Sequence, residues 1–263
     1  MTDSNKEVTF LDLGVSSEVC DAIRKLEWSS PSPIQTEAIP AGLTGVDLVG
    51  VAQTGTGKTG AFLIPCIDRL GEGRGLQVLV LCPTRELAQQ VCDDATALLA
   101  RPGKKAAGRV ASIYGGVGYD LQVKALQNGF EIITATPGRF LDLMGKGMVD
   151  FKNLGTLIFD EADRMLDMGF RPQIEEILKK IRGKRQTMLF SATMPNGVHD
   201  LASRITKNPI WIEIAKSGTK ADGITEFVYS VKPDMKTPLL LHLLENEDWT
   251  QVLVFTRTKS GAG

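Results

Sequence analysis

The residues best suited to chemistry stand together between positions 46 and 59. An apolar run, 46–52, leads straight into Gln53-Thr54-Gly55-Thr56-Gly57-Lys58-Thr59. Glycines let a backbone turn tightly enough for successive N–H groups to point at one anion, and a helix opening behind them adds the positive end of its dipole. In such a loop Lys58 would reach the β- and γ-phosphates of a nucleotide, and the Thr59 hydroxyl would ligate Mg²⁺. The full GxxxxGK[ST] spacing is broken at one position, because Ala52 stands where the first glycine belongs. A glycine-rich surface turn would share the composition, but not the strand before it and the helical pattern after it.

The second cluster is 156–163, Thr-Leu-Ile-Phe-Asp-Glu-Ala-Asp, a buried strand ending in carboxylates. Asp160, at the tip of the neighbouring strand, is expected to hold Mg²⁺ from the side opposite Thr59. Glu161 is then positioned to orient or deprotonate an attacking water. Asp163 falls in the first turn of a following helix, within reach of an adjacent strand tip. Acids favoured by the helix dipole would look the same in isolation; beside a phosphate loop the catalytic reading is preferred.

The elements that carry these residues alternate. The runs 46–52, 78–82, 109–114, 131–135, 156–160, 187–191 and 210–214 read as strands, most of them unbroken apolar stretches of the kind buried on both faces. Leu87, Val91, Ala95 and Leu98 fall at helical spacing between two of them, as do Ile174, Ile177, Leu178 and Ile181. This alternation predicts an α/β fold, a mostly parallel sheet covered by helices on both faces, with ligands at the carboxyl ends of the strands. The 263 residues, 43% apolar and 23% charged, suffice for one large or two small domains and exclude a disordered or fibrous chain. With 30 basic against 31 acidic residues, any nucleic acid must be held by placed groups, not by bulk charge. Cys20, Cys66, Cys82 and Cys92 form no CxxC pair and read as reduced, buried thiols; a zinc site is not expected. Neither a secretory signal nor a membrane span is visible, so a cytoplasmic protein is expected.

In wording and order the motifs resemble the DEAD-box RNA helicases. AQTGTGKT (52–59), PTRELA (83–88), GG (115–116), TPGR (136–139), DEAD (160–163) and SAT (191–193) follow PSPIQ (31–35) and precede VLVFTRT (252–258). DEADRMLDMGF and VLVFTRTK look most like the RhlE-type bacterial branch. The resemblance implies a RecA-like P-loop domain, ATP and Mg²⁺ as cofactors, and RNA held by its backbone without sequence readout. Gln35 would read the adenine edge, Phe10 would brace that site, and Trp28 would stack on the base in place of the family's usual Phe. Glu27 replaces a customary glycine beside it. Pro83, Thr84 and Arg85, Gly115 and Gly116, and Thr136, Pro137, Gly138 and Arg139 would take RNA phosphates through helix-start N–H groups and guanidinium side chains. Ser191 and Thr193 would bond to Asp163 and couple the nucleotide site to RNA; hydroxyls here also suit the N-cap of the next helix, and one hydroxyl could do each.

The resemblance also divides the chain into an N-terminal Q-motif region (1–37), an ATP-binding domain (38–215), a linker (216–223) and the start of a second RecA-like domain (224–263). That tail is expected to form a strand (224–231), a helix (236–245) and a strand (251–256). The arginines that complete the γ-phosphate site in the family would come from the rest of that second domain, so a weakly active, monomeric chain is expected. A DNA-stimulated ATPase, a non-catalytic binding module and an ATP-binding scaffold are the competing readings. Gln35 with DEAD and TPGR argues against DNA, and the full Lys58, Thr59, Asp160 and Glu161 set argues against a scaffold.

Overall fold

A computed structural model describes residues 8–71, 75–100, 109–119, 122–123, 126, 130–214, 225, 227–246 and 248–256. The chain divides into two compact units, 1–219 and 220–263.

In the first unit all seven expected runs form strands, with their ends shifted by one or two residues: β1 (Leu48–Val51), β2 (Val78–Leu81), β3 (Val110–Ile113), β4 (Ile132–Ala135), β5 (Thr156–Phe159), β6 (Gln186–Ser191) and β7 (Ile210–Glu213). They make one sheet in the order β3-β4-β2-β5-β6-β1-β7, and every pairing is parallel. The five inner strands are buried throughout, while the edge strands β3 and β7 expose alternate or most positions.

Each inner strand feeds two cores, because successive side chains point to opposite faces. Val78, Val80, Ile158, Met188 and Phe190 join one core with helices α1 (Ser17–Lys25), α2 (Pro33–Thr44), α3 (Lys58–Asp68) and α4 (Arg85–Leu99). Leu79, Leu81, Leu157, Phe159 and Leu189 join the other with α5 (Pro137–Gly145), α6 (Ala162–Asp167), α7 (Arg171–Lys180) and α8 (Asn196–Ile205). The helical spacings at 87–98 and 174–181 thus fall on α4 and α7 and bury the faces they predict.

Polar residues fix the amino end of the sheet. Asp47 accepts from the N–H groups of Thr187 (2.7 Å) and Lys207 (2.6 Å). Gln186 donates to the carbonyls of Gly42 and Val46 and accepts from Arg69 at 2.6 Å. The start of β1, the start of β6 and the ends of α2 and α3 are tied together this way, which leaves the carboxyl edge free for ligands.

Two expectations fail. Asp160 does not end a strand adjacent to β1, since β6 runs between β1 and β5. In the second unit, α9 (Lys236–Asn246) follows a 3₁₀ turn (Pro233–Met235), but the described residues of 224–231 and 251–256 form no strand. A strand is held by ladder bonds to a neighbour, and the described residues of this unit supply none; Phe227, Val228, Leu253 and Phe255 are exposed. The linker expected at 216–223 lies outside the described residues. Among the described residues, no helix is long and apolar enough to cross a membrane. All four cysteines are buried and free, as expected, and burial raises their thiol pKa values, Cys66 to about 12 and Cys92 to about 11.

Candidate nucleotide and nucleic-acid site

Because the sheet is parallel, the carboxyl ends of its strands share one edge, and the segments 52–59, 82–85, 114–118, 136–139, 160–163 and 191–193 all leave from it. A cleft of about 660 Å³ opens there, lined by the phosphate loop, the Ser29–Gln35 segment, Asp160 and Glu161.

The loop is built for close approach. Gly55 and Gly57 take left-handed backbone conformations at φ 81° and 89°, and Gly57 opens α3. A Cβ on Gly60 would stand 2.6 Å from Gln35 Nε2 and 2.9 Å from the Trp28 ring, so α3 fits under those side chains only with glycine there. Thr54, Thr56 and Thr59 line the cleft; Gln53 lies outside it, its carbonyl accepting from the Thr56 hydroxyl at 2.7 Å. Lys58 is buried and donates to the Ala52 carbonyl at 2.8 Å, so its ammonium lies back along the loop.

Asp160 is 3% exposed, and its Oδ1 has no hydrogen-bond partner. Burial first, opposed by the Lys58 charge and reinforced by that of Glu161, pushes its pKa up to about 7. A buried, unpartnered carboxylate oxygen is costly on its own and suits a cation. With the Thr59 hydroxyl in the same cleft, the donor set fits Mg²⁺, which takes few protein ligands and completes its shell with phosphates and water. Glu161 holds a left-handed backbone (φ 52°) at the start of α6 and pairs with Arg164 at 3.3 Å. Strained non-glycine backbone of this kind concentrates at functional sites.

Thr193 donates to Asp163 Oδ2 from its N–H (2.9 Å) and its hydroxyl (2.8 Å), and the Asp163 N–H donates to Ser191 Oγ at 3.2 Å. Burial raises the Asp163 pKa, but the bonds from Thr193, Arg164 and Ser191 outweigh it and hold the carboxyl below its ordinary value. The reading in which one of these hydroxyls caps the next helix fails, since the start of α8 has no side-chain cap. Ser191 instead caps α6.

At the base end, Trp28 is half-buried and lines the cleft, and Glu27 supplies the left-handed conformation (φ 58°) that a glycine would take without strain. Gln35 is buried; its Oε1 accepts from the Ser32 N–H and its Nε2 donates to the Gly57 carbonyl, both at 3.0 Å. One amide hydrogen and one lone pair remain for a base. Phe10 does not line the cleft: it is 5% exposed in the core on which Trp28 packs, and touches the site only through that packing.

Sequence reasoning missed Ser32, whose buried hydroxyl has no partner in the cleft, and Gln90 and Asp94 on α4. Leu87, Gln90 and Asp94 share one helix face, a legible signal, but only the packing of α4 against α3 turns that face toward the cleft.

Further along the edge, Thr84 caps α4 by accepting from the Leu87 N–H at 3.2 Å, after Pro83, and exposed Arg85 pairs with Glu86. Gly115, Gly116 and Gly138 have open space where a side chain would stand. Thr136 and Pro137 open α5, and the guanidinium of Arg139 bonds within the protein.

Comparison with known proteins agrees with this arrangement. The chain is 42% identical over 256 residues to the ATP-dependent RNA helicase DeaD of Escherichia coli K12, covering 97% of this chain and 40% of that protein. It is 38% identical to the DEAD-box ATP-dependent RNA helicase CshA of Bacillus subtilis, covering 96% and 50% respectively. The chain therefore spans half or less of the length of these relatives. Its fold superposes on the crystal structure of a DEAD box protein from the hyperthermophile Methanococcus jannaschii with a TM-score of 0.73 at 37% identity, covering 91% of this chain and 64% of that one. A family model described as DEAD/DEAH box helicase matches residues 32–201, from the residue before α2 into α8, and so takes in the phosphate loop, the carboxylate cluster at 160–163 and every segment that leaves the carboxyl edge of the sheet. On that match, across more than half of its length, the chain belongs to the DEAD/DEAH box helicase family.

Proposed function

We propose that this chain is the nucleotide-binding half of an ATP-dependent RNA helicase. The observation that carries the reading is the buried, unpartnered Oδ1 of Asp160, in one cleft with a glycine loop, Lys58 and Thr59. The loop N–H groups and Lys58 bind the β- and γ-phosphates, once the ammonium swings from the Ala52 carbonyl to phosphate oxygen. Asp160 and Thr59 hold Mg²⁺, which when bound neutralises charge on the transferred phosphate. Glu161 orients the attacking water and takes its proton. Trp28 stacks on the adenine, and the remaining hydrogen and lone pair of Gln35 read its edge. The Asp163–Thr193 bonds join the carboxylate cluster to the tip of β6, so that a change at either one is felt at the other.

RNA lies along the same edge, with its phosphates on the helix starts at Thr84 and Thr136 and on the glycines at 115–116. A second RecA-like domain in cis would supply arginines to the γ-phosphate, a contribution on the order of 10³–10⁵-fold in related phosphoryl transfers. The wording of the DEAD segment and of 252–259 supports a place in the RhlE-type branch. Closing two domains over one strand and bending it would exclude its partner strand.

The test is ATPase rate with and without single-stranded RNA, for this chain, for Lys58→Ala, and for a chain extended through a second domain. RNA stimulation confined to the extended chain, and abolished by Lys58→Ala, is expected. Stimulation by DNA but not RNA would refute the substrate assignment.

A further inference from the structure

Tyr114 to Gly118 leave the sheet at the end of β3, and nothing packs on Gly115 or Gly116 from the side a Cβ would occupy. Gly116 is left-handed at φ 87°. Such a loop, left to itself, loses a great deal of conformational entropy on ordering. Here both carbonyls that flank the glycine pair are held. Gln122, itself buried, donates from Nε2 to the Tyr114 carbonyl at 3.0 Å. Arg139 donates from one terminal nitrogen to the Val117 carbonyl at 3.0 Å, and from the other to Gln122 Oε1 at 3.1 Å. The two holding side chains are thus bonded to each other. The face of the guanidinium lies 4.2 Å from the centre of the Tyr119 ring, whose hydroxyl bonds to the Asp142 carboxylate and whose ring also meets the Lys146 ammonium at 3.7 Å.

We infer that Gln122 and Arg139 form a clamp that fixes the glycine loop at 115–116, which makes Arg139 a positioning residue of the RNA edge and not one of its phosphate ligands. A guanidinium carries five N–H donors, and two of those of Arg139, one on each terminal nitrogen, are engaged by protein oxygens that fix its orientation toward the loop. Arg139 sits in the first turn of α5, so the loop is referenced to a helix anchored in the core by Phe140 and Leu143. The contacts with phosphate fall to the loop's own N–H groups, presented in a fixed shape. The inference rests on the reading that this edge takes RNA, although the clamp can be tested without it.

Two measurements on the 263-residue chain decide it. The first needs no RNA: backbone ¹⁵N order parameters of Gly115 and Gly116. Gln122→Met and Arg139→Met should each lower them from about 0.85 to below about 0.6. Arg139→Lys, which keeps the charge but lacks the fork, should do the same. Unchanged order parameters in Gln122→Met would overturn the clamp. The second is titration with a fluorescent oligouridine at several salt concentrations. Each variant should lose about fivefold in affinity, the double variant no more than either single one, because the two residues act as one unit. The slope of log affinity against log salt should not change. A phosphate ligand would instead lower that slope by about 0.7 in Arg139→Met, and Arg139→Lys would keep it; that result also overturns the inference. If the unmodified chain binds no oligouridine, the RNA reading of the edge fails, while the order parameters still decide the clamp.

Discussion

Asp160 is kept as a carboxylate only at a cost, with burial and Glu161 acting against its charge and Lys58 in its favour. Its pKa of about 7 lies above the ordinary carboxylate value, so between about pH 4 and 7 the folded protein binds a proton that the unfolded chain has released. Stability from this group is therefore present at low pH and lost as pH rises through that window. Urea unfolding of the ligand-free chain should show Asp160→Asn flattening the decline between about pH 4 and 7. If Mg²⁺–nucleotide is held through the Asp160 carboxylate as proposed, calorimetry in buffers of different ionisation enthalpy should detect proton release on binding below pH 7. Glu27 carries a second cost, a left-handed backbone without a glycine. Glu27→Gly should raise stability by about 0.5–1 kcal/mol, read from the thermal midpoint. At this scale the sequence pointed to residues that the structure gathers in one cleft, Lys58, Thr59, Asp160 and Glu161 among them, because glycine, lysine and carboxylate types stand out in a chain. It did not show their partners. Nothing in TPGR marks the bonds of Arg139 to Val117 and Gln122, and nothing in PTRELA marks Gln90 or Asp94 as cleft residues.

The elements convert sequence order into a working edge. Thr84 caps the start of α4 at the carboxyl edge of the sheet, so Thr84→Ala should cost about 1 kcal/mol of stability by denaturant unfolding through loss of the cap. Gly60→Ala places a methyl 2.6 Å from Gln35 Nε2 and 2.9 Å from the Trp28 ring, so both side chains must shift. It should destabilise by about 1–3 kcal/mol and weaken nucleotide binding more than tenfold in a fluorescent-nucleotide titration, whereas Gly138→Ala, in open space, should leave nucleotide affinity unchanged. Strands were legible because a chain buried on both faces is mostly apolar along its length, and β1, β2, β4, β5 and β6 are buried at every position and carry short apolar runs. Their spatial order was not, because periodicity carries no information on which strand crosses to which side. The insertion of β6 between β1 and β5 is what brings Ser191 and Thr193 against Asp163. The tail runs 224–231 and 251–256 misled for a related reason: β-propensity describes a side chain's fit to a sheet, and a strand also needs a neighbour.

At the scale of the whole molecule, every candidate site residue belongs to the unit 1–219. A chain ending at residue 219 should therefore keep the nucleotide affinity of the full 263 residues, measured by the same titration. The polar ties at the amino end of the sheet hold that unit together from the side away from the cleft. Asp47→Ala would strand the N–H groups of Thr187 and Lys207 and should cost about 1–3 kcal/mol. The four cysteines have a use of their own. They are spread over α1, α3, α4 and the tip of β2, each buried and each with its thiolate disfavoured. A thiol reagent can reach them only when the surrounding structure opens, so the rate at which each is labelled is a clock for that opening. Cys82, beside Asp160, times opening of the structure around the cleft, and Cys20 times opening of the helix that leads to Trp28.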